Sequence, residues 1–298
     1  MSDKNFSPVV IALGYFDSVH LGHQKVINNA CVLAKQNNAK TVVFTFKGNL
    51  KGALGCGKEK TVFTFKEREK FIKALGVDEI YFAPTDKEFL SLSKLDFLDK
   101  LCSTYNVLGF VSGEDYRFGK FGEGNTEFLS EYAKNNGQTY VIVDTLSTDS
   151  EKISTTLIKS LLSDGKVKQV NALLGRKYSI TGEVFADRKV GRTIGFPTLN
   201  IKVDKDKHQL KDGVYYGGIT LDGVDYKAVI NYGARPTYGL EEKLIEAHVI
   251  DFNGDLYGET VTILFDAFMR EVKKFDSEIQ LKEQLKADIK SVREGKYD

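Results

Sequence analysis

The sequence has no long apolar run. Nothing in its 298 residues approaches the roughly 20 consecutive apolar residues of a membrane span. The N-terminus is polar up to Ser7 and then only briefly apolar, so neither a signal peptide nor a membrane anchor is expected. The chain also lacks an excess of charge. Lys and Arg number 42 and Asp and Glu 41, for a formal net charge of +1. That balance argues against a nucleic-acid footprint and against a polybasic membrane patch. Cysteine is scarce: Cys31, Cys56 and Cys102 lie far apart and form no CxxC. They read as free thiols in a reducing compartment, so a cytoplasmic setting is expected. What remains is an ordinary globular composition, 42% hydrophobic and 28% charged, in a chain long enough for two domains.

The first half alternates strand and helix patterns. Val9 to Leu13 is a continuous apolar run, as in a strand buried on both faces. A Gly-containing loop follows, then a helical stretch from about Leu21 to Gln36. Further strands are expected at 41–44, 79–82, 107–111 and 140–143. Helices are expected between them, one opened by a Thr64/Glu67 capping box and one near 128–133. Such alternation predicts a doubly wound, Rossmann-like α/β domain with a parallel sheet, over residues 1–170. Residues 153–174 read as helical.

From Tyr178 the pattern changes to short strands, expected at 178–185, 213–221, 225–231, 244–251 and 260–265. Turns such as Asp222-Gly223 and Asn253-Gly254 separate them. This predicts an antiparallel β-barrel over residues 171–298, closed by a terminal α-helix. Ser277 and Gln280 form its capping box, and Leu281, Leu285, Ile289 and Val292 its apolar face.

Two segments carry chemistry. In Gly14-Tyr15-Phe16-Asp17-Ser18-Val19-His20-Leu21-Gly22-His23, two imidazoles sit three residues apart around a helix start. A helix N-terminus favours phosphate, and Gly22 lets a nucleotide approach the backbone. Histidines there can donate to charge building on a transferring phosphoryl group, which suggests nucleotidyl transfer from a nucleoside triphosphate. The same pair could ligate a metal, although no Cys or carboxylate set accompanies it. Ile153-Ser154-Thr155-Thr156 offers hydroxyls that either cap a helix or hold phosphate oxygens.

The second segment is Gly191-Arg192-Thr193-Ile194-Gly195-Phe196-Pro197-Thr198-Leu199-Asn200. Pro197 restrains Phe196 to an extended conformation, while Gly191 and Gly195 leave the backbone open to a phosphate or ring. Thr198 and Asn200 suit Mg²⁺, which takes oxygen ligands and shares the rest of its shell with water and phosphates. A plain polar turn is the alternative. Glu246 and His248 share one face of an alternating strand. Glu246 there is either a general base for phosphoryl transfer or a solvated outward residue.

These segments carry a family resemblance. The N-terminal half resembles the FAD synthetase (FMN adenylyltransferase) module of bacterial bifunctional riboflavin kinase/FAD synthetases, of the HxGH nucleotidyltransferase class. The family patterns GxFDGVHxGH, GxDFxFG and ISSTxIR are matched by Gly14 to His23, Gly113 to Gly119 and Ile153 to Lys159. The resemblance implies that His20 and His23 stabilise the transferring phosphoryl group, and that Ser154, Thr155 and Thr156 hold triphosphate oxygens. It further implies that Gly14, Phe16, Asp17, Gly22, Asp115 and Phe118 line the pocket. Ser18 stands where the family has Gly. Leu157 and Lys159 stand where it has arginines, and Lys47-Gly48-Asn49-Leu50 replaces a Pro-His-Pro segment.

The C-terminal half resembles the riboflavin kinase module, through Gly191 to Asn200, Asp212 to Gly217, Asn231 to Thr237 and Glu246 to Gly258. By that resemblance Gly191, Thr193, Gly195 and Pro197 frame ATP, Thr198 and Asn200 bind Mg²⁺ and ATP phosphates, Glu246 deprotonates the ribityl 5′-hydroxyl, and Arg270 lies in a segment covering the flavin. The implied partners are riboflavin, FMN and ATP, with no nucleic acid and no membrane. The rival readings are a riboflavin kinase with an altered first domain and a flavin or nucleotide sensor without turnover. Intact Glu246, Thr198 and Asn200 weigh against the sensor.

Overall fold

The apolar run near the N-terminus forms β1 (Pro8–Leu13). β2 (Lys40–Phe46), β3 (Glu79–Ala83), β4 (Asn106–Gly113) and β5 (Thr139–Val143) join it in one parallel sheet ordered β3-β2-β1-β4-β5. The connections carry α1 (Leu21–Gln36), α2 (Leu50–Ala53), α3 (Phe65–Lys73), α4 (Lys87–Leu90), α5 (Lys94–Thr104) and α6 (Thr126–Asn135). The structure is a computed structural model that describes residues 7–48, 50–53, 57, 59–148, 151–186, 195–234 and 243–295. It divides into two units, Met1–Thr155 and Thr156–Asp298.

Alternate residues of β1 serve two separate cores. Val9, Ile11 and Leu13 cluster with Phe97, Leu98 and Leu101 of α5 on one face. Val10 and Ala12 cluster with Val26, Ile27, Ala30 and Ala34 of α1 and Ile72 of α3 on the other. Both faces are covered, which is why the run shows no polar alternation. Each fully buried Ile or Leu contributes roughly 1.5–3 kcal/mol. The capping box of α3 forms as expected: Thr64 Oγ1 accepts from the Glu67 N–H at 3.3 Å, and Glu67 Oε2 accepts from the Thr64 N–H at 2.8 Å. Strand order reverses beside β1, so the carboxyl ends of β1 and β4 flank the crevice where such sheets take ligands.

The helical stretch expected over 153–174 is two helices, α7 (Thr155–Ser163) and α8 (Val167–Leu174). Asn171 ties α8 to the barrel, its Nδ2 donating to Phe265 O at 2.9 Å and its Oδ1 accepting from the Tyr178 N–H at 2.6 Å. The barrel comprises β6 (Tyr178–Phe185), β7 (Leu199–Lys202), β8 (Gly213–Leu221), β9 (Val224–Ala234), β10 (Lys243–Val249) and β11 (Thr260–Arg270). It closes antiparallel in the order β10-β7-β6-β11-β8-β9. β7 is a strand that the sequence pattern did not predict. Its four residues are too few to display alternation. The last helix, α9 (Glu278–Glu294), packs Ile289 and Val292 against Val214, Tyr216 and Val229. Its expected capping box is one-sided. Ser277 Oγ accepts from the Gln280 N–H at 3.3 Å, but the Gln280 side chain accepts from Asp276 rather than from Ser277.

Candidate active sites

His20 caps the N-terminus of α1: its Nδ1 accepts the His23 backbone N–H at 3.1 Å. An accepting Nδ1 carries no proton, so the neutral ring keeps its proton on Nε2, where it can donate. The His20 and His23 rings stack with centroids 3.7 Å apart and planes at 14°. Phe16 meets His23 edge-on at 5.3 Å. The glycine between the histidines suits this arrangement, because a Cβ on Gly22 would approach the His20 ring to 3.1 Å and press on it. The turn ahead of α1 is strained, with φ of 50° at Phe16 and 45° at the β-branched Val19. Strain of this kind persists where surrounding contacts over-determine a functional geometry.

A cavity of about 360 Å³ opens here, lined by Gly14, Phe16, His20, Gly22 and His23. Asp115, in the loop after β4, and Ser154 and Thr155, at the start of α7, line it as well. Ser18 Oγ lies 3.0 Å from Thr155 Oγ1, bringing the strained turn to the α7 hydroxyls. Three residues expected in the pocket are not among those that line it. Asp17 is buried, and its carboxylate accepts the Val62 N–H at 3.0 and 3.3 Å, which holds the segment before α3. Phe118 is a core residue, stacked on Tyr116 and tilted against Phe97. Thr156 is exposed.

Sequence reasoning missed Arg68, whose side chain is almost fully buried on α3. Its guanidinium donates to Tyr15 O at 3.1 Å and Phe46 O at 2.8 Å, and lies 5.2 Å from the Tyr15 ring centre. Tyr15 and Phe46 both line the cavity, so one cation secures the carboxyl ends of β1 and β2. Burial pulls the Arg68 pKa down, while Tyr15 and Asp17 oppose that shift. Burial raises the Tyr15 phenol, helped by Asp17. No motif announces Arg68; only its place on the buried face of α3 could have suggested it.

In the barrel, Glu246 of β10 pairs with Asn200 of β7 on one side and with Asn231 of β9 on the other. Cross-strand neighbours place their Cβ atoms about 4.5–5.5 Å apart, so these side chains form a row. Asn231 Nδ2 donates to Glu246 Oε2 at 3.4 Å, and the buried Asn231 Oδ1 has no partner among the described residues. Ile245, Ala247 and Val249 are buried on the opposite face, as their alternation predicted. His248 Nδ1 donates to Pro197 O at 2.9 Å, which anchors the turn carrying Thr198. Gly195 lies exposed in that turn. Arg270 ends β11 in an ion pair with the buried Asp288 of α9, at 2.7 Å. Gly191, Thr193 and Arg235 to Thr237 lie outside the described residues.

A stacked imidazole pair at the switch point of a parallel sheet, beside hydroxyls at a helix start, is the architecture of an HxGH nucleotidyltransferase; joined to a closed barrel, it defines a two-domain transferase class. Two family models divide the chain in the same way, FAD synthetase over residues 2–157 and riboflavin kinase over residues 174–295. A Bacillus subtilis protein named bifunctional riboflavin kinase/FMN adenylyltransferase is 35% identical over 94% of this chain and 90% of its own. A Listeria monocytogenes protein of the same name is 35% identical over 95% of this chain and 91% of its own. The chain belongs to the bifunctional riboflavin kinase/FMN adenylyltransferase family. A solved Streptococcus pneumoniae structure named a macrolide-efflux protein shares 34% identity with it, at a TM-score of 0.88 over 97% of this chain and 96% of that one. Among the described residues here, no helix is long and apolar enough to cross a membrane.

Proposed function

We propose that the barrel unit phosphorylates riboflavin to FMN with ATP and that the α/β unit adenylylates FMN to FAD with a second ATP. The observation that carries this reading is the convergence of His20, His23, Ser154 and Thr155 on one cavity, in a chain whose relatives bear both activities in their name.

In the first unit the phosphate of FMN attacks the α-phosphorus of ATP. A new P–O bond forms, and pyrophosphate leaves with the electron pair of the broken one. The Nε2–H of His20, with His23 stacked beside it, donates to the transferring phosphoryl group. Ser154, Thr155 and the N–H groups opening α7 receive the polyphosphate. Gly14, Phe16, Gly22 and Asp115 shape the cavity around nucleotide and flavin. The proposed domains, residues 1–170 for adenylyl transfer and 171–298 for the kinase, keep α7 with the cavity that Thr155 lines, whereas the compact units divide after Thr155.

In the second unit Glu246 takes the proton of the ribityl 5′-hydroxyl as the hydroxyl oxygen attacks the γ-phosphorus; a new P–O bond forms, and ADP leaves with the electron pair of the broken one. Asn231 holds the carboxylate, and Asn200 lies beside it in register. Thr198 and Asn200 offer the oxygen donors that Mg²⁺ requires, and the orphaned Asn231 Oδ1 nearby fits an oxygen-rich, metal-neighbouring site. Bound by Thr198 and Asn200, Mg²⁺ would supply positive charge to the phosphates. Arg270, held by Asp288, fixes the start of the segment expected over the flavin. The free thiols Cys31 and Cys102 agree with a cytoplasmic setting.

The test is direct. Riboflavin, ATP and Mg²⁺ are incubated with the protein and the flavins are separated by chromatography. FMN followed by FAD supports the reading; FMN alone restricts the chain to kinase activity; neither product overturns it.

A further inference from the structure

Among the described residues that line the first cavity, the cations of lysine or arginine are Arg117 and Lys152, and the acids are Asp115 and Asp144. A polyanionic triphosphate entering there therefore meets a lining of no net charge, imidazoles taken as neutral. Lys152 precedes Ser154 and Thr155, and its Nζ lies 2.8 Å from Asp115 Oδ2. That pair spans two segments of the rim, the loop after β4 and the lead-in to α7. Both members are exposed, at 47% and 71% of the side chain, so water screens the pair and holding it costs a competitor little. A charge-assisted bond from lysine to a multiply charged phosphate is stronger than an exposed pair with a single carboxylate. Lysine suits the exchange, since its flexible stem carries a point charge that needs no fixed fork geometry.

We propose that Lys152 is a substrate-contacting residue of adenylyl transfer: it leaves Asp115 when ATP binds and carries its charge to the β- and γ-phosphates, the part that departs as pyrophosphate. This rests on the proposal that the first unit binds ATP. Two residues lie between Lys152 and Thr155, and at no more than about 3.6 Å per residue the lysine stays within reach of a polyphosphate held by Ser154 and Thr155. Asp115 keeps the ammonium at the rim until a phosphate replaces it.

The experiment compares the parent protein with Lys152→Met and Lys152→Arg. FAD formation from FMN and ATP gives KM for each substrate, and calorimetry gives the affinity for inorganic pyrophosphate. Denaturant titration of the first unit reports its folded fraction, and riboflavin kinase activity confirms an intact second unit. The expected result for Lys152→Met is a KM for ATP raised roughly tenfold, the loss of one charge-assisted hydrogen bond. Pyrophosphate affinity falls in parallel, KM for FMN and the kinase rate stay at parent values, and Lys152→Arg recovers most of the loss. A purely structural role would lower the folded fraction and move both KM values together. Parent values for both ATP and pyrophosphate overturn the proposal. So does a raised KM for ATP with unchanged pyrophosphate affinity, which would move the contact off the leaving group. If the parent makes no FAD, the adenylyltransferase reading fails by itself. Pyrophosphate then decides on Lys152: weaker binding to Lys152→Met upholds its role, and equal binding ends it.

Discussion

At the residue scale the two sites demand different failures. Glu246→Gln keeps the shape of the Asn200–Glu246–Asn231 row but removes the base, so FMN formation is expected to fall by roughly a hundredfold or more. FAD formation from added FMN remains, and product chromatography reads both. His23→Ala is expected to do the converse, since it removes one of the stacked rings in the first cavity. Arg68→Met is a different kind of loss. It removes the donations to the Tyr15 and Phe46 carbonyls, leaving Tyr15 O with the Thr45 hydroxyl, and a destabilisation of about 2–4 kcal/mol is expected in denaturant titration of the first unit, with kinase activity untouched. The histidine pair was legible in the sequence because its chemistry is local, set by spacing around one helix start. Asp17 and Phe118 were read as pocket residues, and neither lines the cavity. A motif names residues that a turn needs, and only the tertiary packing decides which of them face the ligand and which hold the turn. Arg68 was invisible because an arginine in an amphipathic helix reads as a surface residue unless its burial is known.

At the scale of elements, periodicity served wherever a strand or helix was long enough to show it. β1, β6 and β8 form where their patterns placed them, and Thr64 caps α3 as its spacing with Glu67 required. β7 escaped because four residues behind a proline carry almost no pattern. Its position between β6 and β10 depends on barrel closure, a long-range event. Closure also exposes a tight point. At Gly217 of β8 a Cβ would lie 1.9 Å from Leu264 O on β11, so no side chain fits without parting the two strands. Gly217→Ala is therefore expected to abolish riboflavin kinase activity and the cooperative unfolding of the barrel unit. FAD formation from added FMN persists in the same protein, and both properties can be measured on one preparation.

At the scale of the whole molecule, the division into an α/β unit and a barrel unit matches the two family models, one per unit. Compositional change near Tyr178 made the second fold readable, because alternating apolar runs replace continuous ones. The break between α7 and α8 was missed although Asp164-Gly165 signals it, Gly165 taking the left-handed φ of 76° that ends α7. The central claim is that one chain holds two separate ATP-using pockets. It is tested most directly by assaying Glu246→Gln and His23→Ala separately and then mixed, with riboflavin and ATP as the only starting substrates. The account predicts no FAD from either variant alone and FAD from the mixture, as free FMN made by one protein is used by the other. A single variant that still carries riboflavin through to FAD, or one that loses both partial reactions, contradicts it.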